Sequence, residues 1–244
     1  MPADRFFIEG VHATGDIVDI RGSDARKIVS VLRKHTGDAL EIIDSAATLF
    51  RAELQVDGAR VRARLLAGDS SASSDAPRLT IAQGIPKGQK MDFVVEKLTE
   101  LGVAAIVPFE SERSVVTGAG SNKVERWRRL AKSSAQQCGR RDVPHITDPL
   151  RIADVIDSFG SFDCVLFPWE LAPRDAGPGS IQIARLIEGS QNILAIIGPE
   201  GGFTHAEAAA ARDHGAHLLS LGERILRSET AGLVVAALVQ FSQS

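Results

Sequence analysis

The chain has 244 residues, of which 44% are hydrophobic and 24% charged, with a formal net charge of −3. This composition excludes a disordered chain, a disulfide scaffold and a wholly basic polyanion binder, and it suits one large soluble domain or two modest ones. Cys138 and Cys164 are widely separated and lack partner ligands, which argues against a zinc cluster and fits a reducing, cytoplasmic setting. MPADRFFIEG has no apolar leader core, and the longest apolar run, near Leu233 to Leu238, is too short for a bilayer. Neither a secretory leader nor a membrane partner is expected.

Residues 1–67 predict a small β-rich unit. Arg5–Glu9 and Asp16–Ile20 read as short strands. Ser23 reads as the cap of a helix from Asp24 to about Lys34, with Ile28, Val29, Val31 and Leu32 on its apolar side. Strands follow over Ala39–Asp44, Leu49–Val56 and Arg60–Leu66. In the last, Arg60, Arg62 and Arg64 alternate with Val61, Ala63 and Leu65, so the three arginines share one face. That face is either an ordinary solvated surface or a track for a nucleic-acid backbone. Acids and bases number ten each in residues 1–67, so total charge does not decide. A unit of five or six such strands suggests a small barrel. Residues 68–77, GDSSASSDAP, read as a linker.

From residue 78 strands and helices alternate. Strands are predicted over Leu79–Gln83, Ala104–Pro108, Asp163–Phe167, Asn192–Ile197 and Leu218–Leu221. Helices are predicted over Lys90–Leu101, from an Asn122 cap to about Cys138, and over Arg151–Phe159, Ile181–Glu188 and Thr230–Phe241. Thr204, with Glu207 three residues on, forms a capping box for one more helix. Residues 170–180 are a Pro/Gly-rich loop. The pattern implies an α/β fold, an open and mostly parallel sheet with helices on both faces. Between Arg113 and Arg141 stand eight basic residues against the single acid Glu125. This local patch is either a solvated helix face or a holder of phosphates.

Two turns lie at strand ends, where ligands bind in such sheets. The first is Gly198-Pro199-Glu200-Gly201-Gly202, and the second runs from Leu221 to Thr230. No dinucleotide or P-loop glycine pattern is present. Glu200 would repel a pyrophosphate, so a neutral or cationic ligand suits the first turn better. The second turn carries Arg224, Arg227 and Glu229. A guanidinium there suits a developing oxyanion or a phosphate, and the bland reading is a surface ion pair. No metal-ligand spacing or nucleophile elbow is found.

GPEGGFTHAE followed by LSLGERILRSETA resembles the C-terminal signature of the RsmE family, 16S rRNA uridine-N3 methyltransferases of the SPOUT superfamily. IPKGQKMDFVVEKLTELGVAAIVPFESERSVV, SSAQQCGRRDVP and VLRKHTGD resemble other family segments in family order, so the likeness spans most of the chain. Ser228 stands where the family often has Thr. The resemblance implies a PUA-like RNA-binding β-barrel over residues 1–67 and a SPOUT-type trefoil-knotted methyltransferase domain over residues 78–244. It implies S-adenosylmethionine as cofactor, no metal, a homodimer, and a uridine of 16S rRNA in the small ribosomal subunit (uracil-1498 in rRNA numbering) as substrate. The cofactor cradle implied is Phe167, Ile197, Gly198, Pro199, Glu200, Gly201, Gly202, Leu219, Leu221, Gly222, Ile225 and Leu226. A sulfonium tolerates Glu200 where a phosphate would not. Arg227 would stabilise charge on the uracil, and Glu229 would act as base or orienter. Arg5, Arg60, Arg62, Arg64, Arg113, Arg126, Arg140 and Arg141 would hold RNA phosphates. Rival readings are a SPOUT ribose 2′-O-methyltransferase, a non-catalytic ribosome-assembly factor and a nucleotide-dependent enzyme.

Overall fold

In the computed structural model, residues 4–70, 77–114, 120–172 and 179–242 are described. They divide into two units, Met1–Ser74 with Ala135–Asp142, and Asp75–Ser134 with Val143–Ser244.

The first unit opens with β1 (Arg5–Phe7) and β2 (Ile17–Ile20), then α1 (Gly22–Arg26), which continues as a π-helical turn over Lys27–Val31. β3 (Ala39–Ile43), β4 (Leu49–Asp57) and β5 (Arg60–Asp69) complete a five-stranded sheet in the order β1-β3-β4-β5-β2. β1 runs parallel to β3 and the other pairs are antiparallel. Alternation places Phe6, Ile20, Ile42, Leu54 and Leu65 in one core with Ile28.

Three expectations need correction here. The helix begins at Gly22, with Arg21 at the N-cap position, so Ser23 lies inside the first turn. The π turn adds a residue per turn, and Val31, expected on the apolar side, is 71% exposed. β5 runs on to Asp69, two residues into the stretch read as a linker, because Leu49 and Phe50 of β4 supply partners for Asp69 and Gly68. Residues 71–76 of that stretch lie outside the described residues. The segment Ala135–Asp142 belongs to this unit for identifiable reasons. Gln136 donates to Asp24 at 3.4 Å, and Arg141 pairs with Asp69 at 2.7 Å. Arg5 donates to the carbonyl oxygens of Gly139 and Arg140.

The second unit runs β6 (Arg78–Gly84), α2 (Lys90–Glu100), β7 (Ala105–Glu110), α3 (Ser121–Cys138, its last turn in the first unit), β8 (His145–Ile146), β9 (Leu150–Arg151) and α4 (Ile152–Asp157). It continues with β10 (Cys164–Pro168), α5 (Gly179–Leu186), β11 (Asn192–Ile197), α6 (His205–Asp213), β12 (His217–Leu219) and α7 (Ser228–Phe241). The sheet order is β12-β10-β11-β6-β7-β8, with β9 also on β7, and every pairing is parallel. Helices cover both faces. Along β11, Ile193, Ala195 and Ile197 join the core that holds Val94, Val235 and Trp127, while Leu194 and Ile196 join the one that holds Val155 and Ala208. Two-sided burial explains why β11 reads as a continuous apolar run.

The Thr204–Glu207 box forms as expected. Glu207 N–H donates to Thr204 Oγ1 at 3.1 Å, and Thr204 N–H donates to Glu207 Oε2 at 2.8 Å. The other Glu207 oxygen accepts from Glu112 N–H at 2.9 Å, so the same side chain ties down the loop after β7. Asn122 is the second residue of α3 rather than its cap. Among the described residues no helix is long and apolar enough to cross a membrane.

Candidate active site

β12, β10 and β11 are adjacent and parallel, so their C-terminal ends open on the same edge of the sheet. A cleft of about 430 Å³ lies there. Small-molecule sites run from roughly 300 to 1,000 Å³. Its walls are the two turns picked out in the sequence. Ile197, Gly198, Pro199, Glu200, Gly201 and Gly202 form one side, and Leu221, Gly222, Ile225, Leu226 and Arg227 the other. Phe167 and Leu219 do not line it. Both are completely buried, and Phe167 packs its ring 4.2 Å from that of Phe203. The end of β10 and the residues that follow it line the cleft with Pro168, Trp169 and Glu170. Leu219 contributes its carbonyl oxygen, which accepts from Trp169 N–H at 2.9 Å. The Trp169 indole Nε1 is buried and lacks a hydrogen-bond partner among the described residues.

The glycines of the first turn make room for protein as much as for ligand. A Cβ on Gly201 would lie 2.8 Å from the Arg113 carbonyl oxygen. Gly84, at the end of β6, allows the turn to lie against it, since a Cβ there would meet Pro199 N at 2.5 Å. Below the cleft a neutral chain of hydrogen bonds links the two turns. Gln83 Nε2 donates to Ser228 Oγ at 2.8 Å, and Ser228 Oγ donates to the Gly198 carbonyl.

Glu200 is held from outside the turn. Its Oε1 accepts from Lys90 Nζ at 2.9 Å and from Lys87 N–H at 3.1 Å. Burial pushes its carboxyl upward, but Lys90 and the backbone donors outweigh that and hold it below the usual carboxylate range. Lys90 is raised in turn, chiefly by its bond to Glu200. The charge on Glu200 is therefore largely compensated, which corrects the picture of a free carboxylate facing the ligand.

Glu229 also belongs with Lys90, at 3.5 Å, and not with Arg227. Arg227 occupies the extended N-cap position of α7, and Glu229 follows after roughly 200° of helical rotation, facing α2. Glu229 Oε2 is buried and accepts no hydrogen bond among the described residues, so its contact with Lys90 is ionic. Arg227 is exposed on the cleft rim, and its guanidinium has no hydrogen bond or ion pair among the described residues.

Residues 74–240 match the family model described as RNA methyltransferase domain. Over 228 residues, 91% of this chain and 89% of the relative, the sequence is 31% identical to ribosomal RNA small subunit methyltransferase E of Bacillus subtilis. The chain belongs to the ribosomal RNA small subunit methyltransferase E family. The family relative from Mycobacterium bovis is 29% identical, with 98% of this chain and 92% of the relative covered. Among solved structures, the family enzyme from Neisseria gonorrhoeae bound to S-adenosyl methionine is similar with a TM-score of 0.86. It is 29% identical, and 98% of this chain and 97% of that one are covered.

The arginines proposed from the sequence for RNA fall into two groups. Five are held internally. Arg5 pairs with Glu41 at 2.7 Å and is largely buried, Arg126 pairs with Asp92, and Arg140 with Asp142 at 2.6 Å. Arg141 pairs with Asp69, and Arg113 lies 3.4 Å from the carbonyl oxygens of Gly201 and Phe203. Arg60, Arg62 and Arg64 do share the outer face of β5. The register, however, sets Asp57 opposite Arg60, Asp19 opposite Arg62 and Glu53 opposite Arg64. The Asp19 carboxyl is held down first by its hydrogen bond from Arg21 and then, against some burial, by Arg60 and Arg62. Beside this face lies a groove of about 690 Å³ that Arg21, Arg26 and Arg60 help to line. Among the described residues no group of three or more His, Cys, Asp or Glu could hold a metal.

Sequence reasoning missed Lys90, Gln83, Gly84 and Glu170. Lys90 stands 110 residues from Glu200, and Gln83 stands 145 from Ser228. No local pattern carries such pairings.

Proposed function

We propose that this protein methylates uracil N3 in 16S ribosomal RNA, with S-adenosylmethionine as the methyl donor. The observation that carries the reading is the strand-end cleft with Arg227 on its rim, its guanidinium unpaired among the described residues, in a chain of this family. The cleft fits the donor in size, in its backbone-lined walls and in the absence of an uncompensated cation on the first turn. Residues 197–202 and 220–226 would hold it, and it would supply a methyl group on a positively charged sulfur.

Arg227 has the complementary task. Alkylation at N3 requires that nitrogen to give up its proton, here to solvent at the open rim, and the resulting charge spreads onto the two flanking carbonyl oxygens. A guanidinium at the rim can oppose that charge with two donors, and it needs no prior release from an internal acid. Glu229 is not placed to take the proton from a base in the cleft, so its role moves to the Lys90 contact. Arg62, Arg64 and Arg26 would contribute phosphate contacts in the first unit. A PUA-like barrel for that unit, a trefoil knot in the second, homodimer assembly and a cytoplasmic setting complete the proposal.

The test is nucleoside mass spectrometry of 16S rRNA from a strain lacking this protein. Loss of N3-methyluridine, restored by complementation, is expected. Loss of a ribose-methylated nucleoside instead, or an unchanged profile, would refute the assignment.

A further inference from the structure

Lys90 is the first residue of α2, and it reaches two carboxylates from different walls of the cleft. Its Nζ lies 2.9 Å from Glu200 Oε1 in the first turn and 3.5 Å from Glu229 Oε2, two residues beyond Arg227. The two carboxylates can be no further apart than these contacts combined. Glu229 is only 14% exposed, and its Oε2 has no hydrogen-bond donor among the described residues, so Lys90 is the charge that compensates it. Glu200 has the Lys87 N–H as a second anchor, which Glu229 lacks.

We propose that Lys90 is a positioning residue whose ammonium clamps the two turns of the cleft at the spacing that the methyl donor and Arg227 require. This rests on reading the cleft as the donor site. With Lys90 removed, two like charges face each other across a partly desolvated gap and push the turns apart. A shift of that kind is costly where reacting groups must be aligned. The buried Gln83–Ser228–Gly198 chain lies at the base of the same two turns but carries no net charge, so it cannot cancel the repulsion.

Three variants separate a charge clamp from simple packing. Lys90→Met keeps length and removes charge, Lys90→Arg keeps charge, and Lys90→Met with Glu200→Gln removes the repulsion as well. Two readouts are taken. One is calorimetric affinity for S-adenosylmethionine. The other is hydrogen exchange in the ligand-free protein at Gly202 and Ala231, whose N–H groups bond Pro199 and Arg227 carbonyls at 2.9 and 2.8 Å. Lys90→Met is expected to weaken binding about tenfold and to speed exchange at both amides. Lys90→Arg and the double variant should recover most of both losses. Unchanged exchange in Lys90→Met, or no recovery in the double variant, overturns the clamp. If the wild-type protein binds no S-adenosylmethionine, the donor reading fails instead, while exchange still decides the clamp.

Discussion

The strand-end cleft of the second unit and the arginine face of the first present the same residue type in opposite circumstances. Arg227 follows a turn, and among the described residues nothing pairs with it. Arg60, Arg62 and Arg64 sit on a strand, where hydrogen-bond register hands each an acidic neighbour. A strand arginine inherits its surroundings from the register of the neighbouring strands, and a turn arginine inherits them from the turn. The first can be exposed and still have its charge balanced. The second keeps a charge ready for a ligand.

The largest test of that contrast is Arg227→Ala. Turnover should fall by about 10²–10³, as for loss of an oxyanion donor, with S-adenosylmethionine affinity nearly unchanged. Single-turnover kinetics with parallel calorimetry would measure both, and normal turnover would remove Arg227 from its role. Next comes reversal of Arg60, Arg62 and Arg64 to Glu. RNA affinity should drop and the salt slope should flatten by no more than about two, because acids already screen part of the face. A change near three would mean that the cross-strand acids do not matter, and no change would mean that RNA lies elsewhere. Gly84→Ala should cost about 1–3 kcal/mol in denaturant melts, through its clash with Pro199. Arg5→Ala should cost a similar 1–3 kcal/mol by freeing Glu41 and two carbonyl oxygens, while the RNA salt slope of the folded protein stays the same.

The smallest effect concerns pH. The Glu200 carboxyl is held below its ordinary value of 4.5, so its contribution is present above that value and is lost as pH falls through the lower folded one. Glu200→Gln should flatten this acid-side loss in a thermal-melt series. An acid limb of the same steepness would contradict it.

Much of the fold was legible. β11 spans Asn192–Ile197 as read, because a strand buried on both faces is apolar throughout. The box at Thr204 was readable because its partners are three residues apart. β8 and β9 were not, since two residues define no period. The π turn after α1 broke the 3.6-residue count that placed Val31 inside. In the site, both turns were visible, but Phe167 and Leu219 were one residue short of the opening and point into the core. Lys90 and Gln83 were invisible because their partners come from the other end of the domain. The pairings of Arg5, Arg126 and Arg141 were hidden because their acids stand 36, 34 and 72 residues away, whereas the acid of Arg140, Asp142, stands only two residues on.

Base methylation at this cleft is addressed most directly by product analysis in vitro. Purified protein would be incubated with methyl-labelled S-adenosylmethionine and either free 16S rRNA or small subunits from a deletion strain, and the RNA digested to nucleosides. Label is expected in N3-methyluridine with at least one substrate, and is expected to be lost with Arg227→Ala. Label in a 2′-O-methylated nucleoside, or none with either substrate, would contradict it.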